Sequence, residues 1–246
     1  MSDPGILLVD AGNTRIKWAV REATGWAHGG AIPTADSATL ATVWTSKPRG
    51  MTIVSSNVAG DRVKADLETA ASRIGASLRI IRARAEQLGV RNGYARPEQL
   101  GSDRWAALIA AHGARPSNQL VVNAGTALTI DALAASGDFR GGIIVPGPAL
   151  MRRSLDRNTA GLRESEGSMV DFPTATADAI TSGTIQAAIG AIERMGAALE
   201  RALGGSRPRI VISGGAAAEI APHLPRDITV HDNLVLEGLS LIACES

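Results

Sequence analysis

The chain has 246 residues, enough to bury a sizeable core in one large domain or two smaller ones. It carries 25 Lys and Arg against 24 Asp and Glu, a formal net charge of +1, and its basic residues are scattered, which argues against a nucleic-acid-binding surface. A lone cysteine, Cys244, excludes an internal disulfide. Because the sequence shows neither a basic leader nor an apolar run of about 20 residues, we expect a cytoplasmic protein that does not span a membrane.

Strands and helices are predicted to alternate along the first half of the chain. Apolar runs over 6–9 and 15–20 flank Gly12 and Asn13, which tolerate the positive φ of a tight turn, so they predict a β-hairpin. Further along we predict a strand over 51–55, a helix over 61–74, a strand over 78–81, a loop over 86–100 and a helix over 102–114.

A second predicted hairpin resembles the first. The segment QLVVNAGTALTIDAL, 119–133, repeats the pattern of ILLVDAGNTRIKWAV, 6–20, with Asn123 at the place of Asp10. We interpret the match as an internal duplication, which predicts two similar domains, 1–116 and 117–246, with a ligand cleft between them. Chance similarity between two glycine-containing hairpins is the alternative interpretation.

Two later glycine-rich turns each lie between a predicted strand and a predicted helix. They occur in GGIIVPGPALM, 141–151, and in IVISGGAA, 210–217, the latter followed by a short helix over 216–220. Backbone N–H groups at such turns favour an anion, although turns of this kind also occur for purely geometric reasons. The motifs of P-loop and Rossmann nucleotide sites are absent from the sequence.

Taken together, five segments of the sequence resemble the type III pantothenate kinases, a family within the acetate and sugar kinase, heat-shock ATPase and actin superfamily. They are DAGNTRIK at 10–17, GSDR at 101–104, NAGT at 123–126, Gly141-Gly142 with Pro146-Gly147, and SGG at 213–215. The resemblance covers almost the whole chain in the right order. It implies an α/β fold of duplicated actin-like (ribonuclease H-like) domains, each a mixed sheet flanked by helices, with the active site in the interdomain cleft.

The same resemblance implies an activity. The family phosphorylates pantothenate to 4'-phosphopantothenate with ATP, the first step of coenzyme A biosynthesis, as a homodimer that uses Mg²⁺ and a monovalent cation, K⁺ or NH₄⁺. Two alternatives stay open from the sequence: a non-catalytic nucleotide-binding regulatory or accessory protein, and a kinase of the superfamily acting on another small hydroxy or carboxylate substrate. The charged residues Asp10, Lys17, Asp103 and Arg104 favour catalysis.

The resemblance assigns ATP binding to residues in both halves of the chain. They are Asp10, Ala11, Gly12, Asn13, Thr14, Arg15, Ile16, Lys17, Thr126, Gly214 and Gly215. The backbone of the first turn can surround phosphate oxygens, Lys17 supplies a point charge, and Asp10 can hold Mg²⁺ directly or through water. Considered alone, Lys17 could also be a solvated strand lysine.

The substrate-binding residues implied by the resemblance lie mainly before and at the start of the helix over 102–114. They are Tyr94, Gly101, Ser102, Asp103, Arg104 and Thr176. Asp103 is implied as the catalytic residue that accepts or orients the proton of the substrate's primary hydroxyl, and Arg104 as the group that binds its carboxylate. From the residues alone, Asp103 could be a helix-N-terminal carboxylate paired with Arg104, and Tyr94 a half-buried loop aromatic.

A long helix is predicted from Thr176 to about residue 203, and its apolar face fits either a dimer surface or a core contact. Thr176 itself is interpreted as the N-cap, while the resemblance implies that it reaches the substrate of the partner subunit.

Asn123 departs from the family, which usually has an aspartate there, associated with the monovalent cation. An amide offers an oxygen but no charge, so we expect cation binding to be weaker or changed.

Overall fold

The computed structural model describes residues 5–22, 25–47, 50–159, 161–162, 166–224 and 227–245. It divides into two compact units: unit 1 comprises Met1–Ala114 with Leu234–Ser246, and unit 2 comprises Arg115–Asn233. The first boundary lies close to the predicted one at residue 116.

Unit 1 begins with the predicted hairpin and continues with alternating elements. The strands are β1 (Ile6–Ala11), β2 (Arg15–Glu22), β3 (Gly25–Pro33), β4 (Thr52–Asn57), β5 (Ser77–Ile80), β6 (Glu86–Gln87) and β7 (Val90–Asn92). The helices of this stretch are α1 (Leu40–Val43), α2 (Asp61–Arg73) and α3 (Ser102–Ala114), with 3-10 turns at Thr34–Thr39, Trp44–Ser46 and Pro97–Gln99.

The main sheet of unit 1 has the order β3-β2-β1-β4-β5. Strands β1, β2 and β3 pair antiparallel, whereas β4 and β5 join them in parallel. On one face, Leu7, Val9 and Ala11 of β1 pack in a core cluster with Val63 and Leu67 of α2. Since successive side chains of a strand alternate, Asp10 lies on the opposite face of the sheet.

Unit 1 differs from the prediction in several places. The segment over 86–100 is not wholly a loop, because β6 and β7 pair through a two-residue turn in which Leu88 and Gly89 both have positive φ, 50° and 80°. Leucine is uncommon in such a turn, so the usual Asn-Gly signal was missing. Strand β3 was also not predicted, since its glycines interrupt the strand pattern. A Cβ at Gly30 would lie 2.5 Å from the Trp18 ring.

Unit 2 begins with the second predicted hairpin. Its strands are β8 (Gln119–Ala124), β9 (Ala127–Leu133), β10 (Asp138–Pro146), β11 (Arg209–Ser213) and β12 (Ile228–His231). Its helices are α4 (Pro148–Asn158), α5 (Thr176–Ala202) and α6 (Ala217–Ile220), followed by a 3-10 turn at Ala221–His223. No helix in the described part of the chain has both the length and the hydrophobicity that a membrane crossing requires.

The two units share one strand pattern. In unit 2 the strands are hydrogen-bonded in the order β10-β9-β8-β11-β12, with antiparallel pairing up to β8 and parallel pairing beyond it. This repeats β3-β2-β1-β4-β5 element for element. The internal duplication inferred from two hairpins is therefore confirmed, and each unit has the mixed sheet and flanking helices of an actin-like domain.

The last helix, α7 (Leu234–Ala243), belongs to unit 1, whereas we had expected all of 117–246 to form the second domain. It packs closely on α3, since a Cβ at Gly238 would collide with the backbone of Ala106. Arg79 of β5 also donates to the carbonyl of Ile242 at 2.8 Å. Both contacts join residues more than 130 positions apart in the chain, so no local sequence pattern could predict them.

Candidate functional site

The centre of the site in unit 1 is Asp10, near the end of β1. Its direct neighbour on β2 is Lys17, and its direct neighbour on β4 is Ser56. Residues directly opposite each other on adjacent strands project from the same face of a sheet. The strand register thus places a carboxylate between an ammonium and a hydroxyl.

A hydrogen bond connects this face of the sheet to helix α3. The buried hydroxyls of Ser56 and Ser102 lie 2.8 Å apart, and Ser102 is the first residue of α3. Asp103 follows in the first turn, where the N–H of Arg104 donates to its Oδ1 at 2.8 Å. The loop residue Gly101 lies tightly against this carboxylate, since a Cβ there would be 2.6 Å from Oδ1. The helix start therefore brings Asp103 towards the strand end that carries Asp10.

The two carboxyl groups influence each other. The pKa of Asp10 is raised to about 7, first by burial and second by the negative charge of Asp103, while the positive charge of Lys17 opposes the rise. Burial also raises the pKa of Asp103, against which the N–H and the positive charge of Arg104 act. Two partly buried carboxylates that disfavour each other's ionisation are a common arrangement at functional sites.

Arg104 and Tyr94 contact each other directly. The buried guanidinium of Arg104 donates to the Tyr94 hydroxyl at 3.0 Å and also lies over its ring, 5.7 Å from the centroid. The loop that carries Tyr94 is shaped by Asn92, whose Oδ1 accepts the Tyr94 N–H at 3.0 Å and whose Nδ2 donates to Pro97. Unit 1 therefore brings five predicted substrate residues, Tyr94 and 101–104, together around the start of α3, and Asp103 is the one whose charge acts on Asp10.

Between β1 and β2, the first hairpin turns over Gly12, Asn13 and Thr14. The Gly12 N–H donates to the Arg15 carbonyl at 3.1 Å, which closes the turn. Asn13, Thr14 and Arg15 are exposed, whereas the side chains of Ala11 and Ile16 are buried in the core. Ala11 and Ile16 can therefore offer a ligand only their backbone.

In unit 2 the corresponding strand end carries Asn123, flanked by Thr129 on β9 and by Ser213 on β11. Gly214 follows with a φ of +103°, and a Cβ on it would lie 2.8 Å from Asn123 Oδ1 and 2.6 Å from the Ala124 carbonyl oxygen. Glycine is required here by both the backbone conformation and the close approach. Oxygen atoms of Asn123 and Ala124 thus converge beside this turn.

The remaining predicted nucleotide residues of unit 2 lie at two turns. Thr126 forms the β8–β9 turn with Gly125, and its carbonyl accepts the Gly147 N–H at 2.9 Å. Gly215 is exposed, with open space around its α-carbon.

Thr176 lies in a different environment. It is the first residue of α5 and is exposed, and the N-cap is Ala175 with no side-chain capping bond, so the N-cap interpretation of Thr176 was wrong. It lines an apolar groove of about 840 Å³ between α4 and α5. The groove side chains include Leu150, Met151, Leu155, Leu162, Ala179 and Ile180.

The apolar face of α5 serves more than one purpose. Ala188 and Ile192 pack into the core of unit 2, as the core-contact interpretation predicted, whereas Ala179 and Ile180 line the groove.

Two residues important to the site were missed in the sequence. Ser56 holds the start of α3, and Asn92 holds the Tyr94 loop. A polar pair, Ser55-Ser56, at the end of an apolar strand was the signal available for the first. For Asn92 the sequence offered only an Asn-Gly pair inside what we took for a loop.

The donor set of unit 1 fits a magnesium ion. Within the described ranges, no group of three or more His, Cys, Asp or Glu side chains could form a metal site from the protein alone. Magnesium in phosphoryl-transfer sites is held by one or two carboxylates, water and the substrate's phosphates. The raised pKa of Asp10 beside Asp103 marks a place where a divalent cation would stabilise the ionised carboxylates.

Comparison with known proteins gives a consistent result. Residues 6–198 match the family model described as type III pantothenate kinase. A type III pantothenate kinase of Aromatoleum aromaticum is 48% identical over 98% of each chain. Among solved structures, a Baf family protein of Campylobacter jejuni has a TM-score of 0.66 at 20% identity over 96% of each chain. MreB5 of Spiroplasma citri bound to ADP has a TM-score of 0.54 at 11% identity over 96% and 95% of the chains, which agrees with an actin-like fold.

We predict that Asp10→Asn stabilises the protein at high pH. The pKa of Asp10 is raised from 3.8 to about 7 on folding. Between these two pH values the folded state binds more protons than the unfolded state, so the protein loses stability as the pH rises across this range. Urea unfolding in EDTA should show a gain of roughly 1–3 kcal/mol for the variant at about pH 8 and almost none at about pH 4. Asp232→Asn, at an exposed carboxylate, is the control for removal of one charge. A gain that does not change with pH would contradict the prediction.

Proposed function

Because the chain belongs to the type III pantothenate kinase family, we propose that the cluster of Asp10, Lys17, Asp103 and Arg104 carries its reaction. The reaction is ATP-dependent phosphorylation of pantothenate to 4'-phosphopantothenate, the first step of coenzyme A biosynthesis. One observation supports the residue assignments: Asp103 lies close enough for its charge to act on Asp10, which is paired with Lys17 across β1 and β2. We place the reaction in the cytoplasm, where ATP is supplied.

The first hairpin binds the phosphates in this proposal. Phosphoryl transfer depends on positioning and on neutralising charge, and little covalent chemistry is required of the protein. The exposed residues 13–15 of this turn offer backbone N–H groups to phosphate oxygens, and the Lys17 ammonium adds a positive charge on the same face as Asp10. Asp10 would hold Mg²⁺, directly or through water, and the bound ion would neutralise phosphate charge.

Asp103 is the catalytic residue. It orients the primary hydroxyl of pantothenate for in-line attack and accepts its proton. Even with a raised pKa, a carboxylate is too weak a base to ionise an alcohol in advance, so the proton moves late, as the new P–O bond forms. Burial makes Asp103 a better acceptor for that step than a solvated aspartate.

Arg104 and Tyr94 recognise the substrate's carboxylate. A guanidinium binds a carboxylate through two parallel N–H donors, and this geometry requires a fixed plane. The Tyr94 hydroxyl and ring restrain the Arg104 side chain. Gly101 and Ser102 complete the substrate loop, with Ser102 held by Ser56.

The proposal also assigns nucleotide binding to residues of unit 2. The backbone of Thr126 and the turn at Gly214 and Gly215 bind ATP, since glycine at a strand-to-helix turn allows a ligand close to the main chain. Asn123 Oδ1 is the candidate ligand of the monovalent cation.

We also propose that the protein is a homodimer in which a second copy covers the apolar groove between α4 and α5. A groove of about 840 Å³ lined by leucine, methionine and isoleucine side chains is costly to leave in water. Thr176 lines that groove and is exposed, so its hydroxyl would face a partner chain seated there, and we place the partner's substrate beside it.

The first test is a phosphorylation assay. Release of ADP from ATP should depend on pantothenate, and Asp103→Asn should lower kcat by roughly 10²- to 10⁴-fold with little change in ATP affinity. Glu98→Gln, at an exposed carboxylate in the preceding 3-10 turn, should retain activity. An unchanged kcat in Asp103→Asn would contradict the assignment of Asp103 as the catalytic residue. ADP release that does not depend on pantothenate would contradict the assignment of pantothenate as the substrate.

The dimer proposal is tested by complementation. Asp103→Asn and Thr176→Val chains, each weakly active alone at low pantothenate, are co-expressed with different tags. If Thr176 acts on the partner's substrate, each mixed dimer contains one intact site, and random pairing gives about one quarter of wild-type activity. If Thr176 acts within its own chain, or the protein is monomeric, activity does not recover. Sedimentation of the wild-type protein measures the oligomeric state directly.

The cation proposal concerns Asn123. We predict a weaker K⁺ requirement than the family norm, since an amide at this position supplies no negative charge, and Asn123→Asp should increase activation by K⁺. Activity is titrated with K⁺ and with NH₄⁺ at fixed ionic strength for both proteins. Strict activation of the wild type at low K⁺ would contradict the prediction.

A further inference from the structure

Outside the residues considered so far, Thr34 is bound to both ends of the first hairpin turn. It is the residue that follows β3, and it is 6% exposed. Its hydroxyl donates to the Gly12 carbonyl oxygen at 2.6 Å, and its N–H donates to the Thr14 carbonyl oxygen at 2.9 Å. One buried residue therefore holds two carbonyl groups of the turn.

Thr34 is in turn restrained by helix α2. Arg62 donates from Nη2 to the Thr34 carbonyl at 3.1 Å and from Nη1 to the buried Ser37 hydroxyl at 2.8 Å. Ser37 donates to the Asp66 carboxylate at 2.5 Å, and Asp66 also pairs with Arg62 at 3.4 Å. Thr34 is thus part of a hydrogen-bonded network that connects the turn to helix α2.

These bonds orient the turn's peptide groups. In a planar trans peptide the N–H points opposite to the C=O, so fixing the Gly12 carbonyl towards Thr34 directs the Asn13 N–H away from it. The Thr14 carbonyl is likewise held by the Thr34 N–H, so the Arg15 N–H also points away from Thr34. The two bonds made by Thr34 therefore set the directions of two N–H donors in the turn, those of Asn13 and Arg15.

The duplicated unit supplies an internal comparison. In unit 2 the residue at the position of Thr34 is Gly147, since both follow a strand that ends in proline. Gly147 makes the same backbone bond, from its N–H to the Thr126 carbonyl at 2.9 Å. A side chain there would collide with the Gly125 carbonyl, the counterpart of Gly12. The hydroxyl contact is thus special to the first turn.

We propose that Thr34 is a positioning residue for ATP, whose hydroxyl aims the N–H donors of the turn at the phosphates. The inference rests on the proposed function, in which this turn binds the triphosphate. Thr34 touches the turn and not the reacting atoms. Loss of its hydroxyl therefore weakens nucleotide binding selectively and leaves the pantothenate side unaffected.

The test compares Thr34→Val with Thr34→Ser. Valine has the same shape as threonine without the hydroxyl, so we expect the KM for ATP, and the Kd for MgATP by calorimetry, to rise about 5- to 30-fold. The KM for pantothenate should stay within about twofold, and serine should restore ATP binding to within about threefold of wild type. Thr69→Val, which removes an exposed hydroxyl bonded within α2, is the matched control.

Several outcomes would overturn the inference. They are an unchanged Kd for MgATP in Thr34→Val, an equal rise in both KM values, or no rescue by serine. If Thr34→Val does not fold, Arg62→Gln is the deciding variant, because it removes the bond from Arg62 to the Thr34 carbonyl. It should raise the Kd for MgATP about 2- to 5-fold, and an unchanged Kd would contradict the proposal. Binding is measured without acceptor, so wild-type protein that binds MgATP but does not phosphorylate pantothenate would refute the proposed function and not this inference.

Discussion

The structure depends most on the register of β1 between β2 and β4. This register sets Asp10 beside Lys17 on one side and Ser56 on the other, and it places all three on the face of the sheet where Ser56 bonds to α3. A shift by one residue would turn every side chain of β1 to the other face and send Asp10 into the apolar core packed on α2. The buried residues Leu7, Val9 and Ala11 therefore determine where the carboxylate lies, and the chemistry of the site follows from core packing.

Duplication explains both the likeness and the difference of the two strand ends. Asp10 and Asn123 occupy equivalent positions on β1 and β8, each next to a serine on the parallel neighbouring strand. The antiparallel partner, however, is Lys17 in one unit and Thr129 in the other. One strand end is thus charged and suits a metal bound to phosphates, whereas the other is neutral and offers only oxygen dipoles. The same backbone presents two different chemistries because a few side chains diverged.

The site also shows how supporting contacts are distributed. Residues that face the ligand in our proposal, such as 12–14 and Asp103, lie in turns or in the first turn of a helix. Such residues are held by one or two hydrogen bonds from other polar residues, among them Ser56, Asn92 and Thr34. Exposed turns have little rigidity of their own, so accurate placement of donors requires buried partners behind them.

The sequence by itself determined the local features: the two hairpins, the start of α3 at Ser102, the glycine turns, the family and its reaction. The local features follow from strand periodicity and from glycine's access to positive φ, whereas the family and its reaction follow from the resemblance of short motifs to those of a known family. The tertiary structure decided the packing of α7 on α3, the hairpin within 86–100, the Ser56–Ser102 and Thr34–Gly12 bonds, and the raised pKa of Asp10. Most of these contacts join residues that are distant in the chain, and the burial of a group depends on the elements that cover it. Neither long-range contacts nor burial can therefore be predicted from neighbouring residues in the sequence.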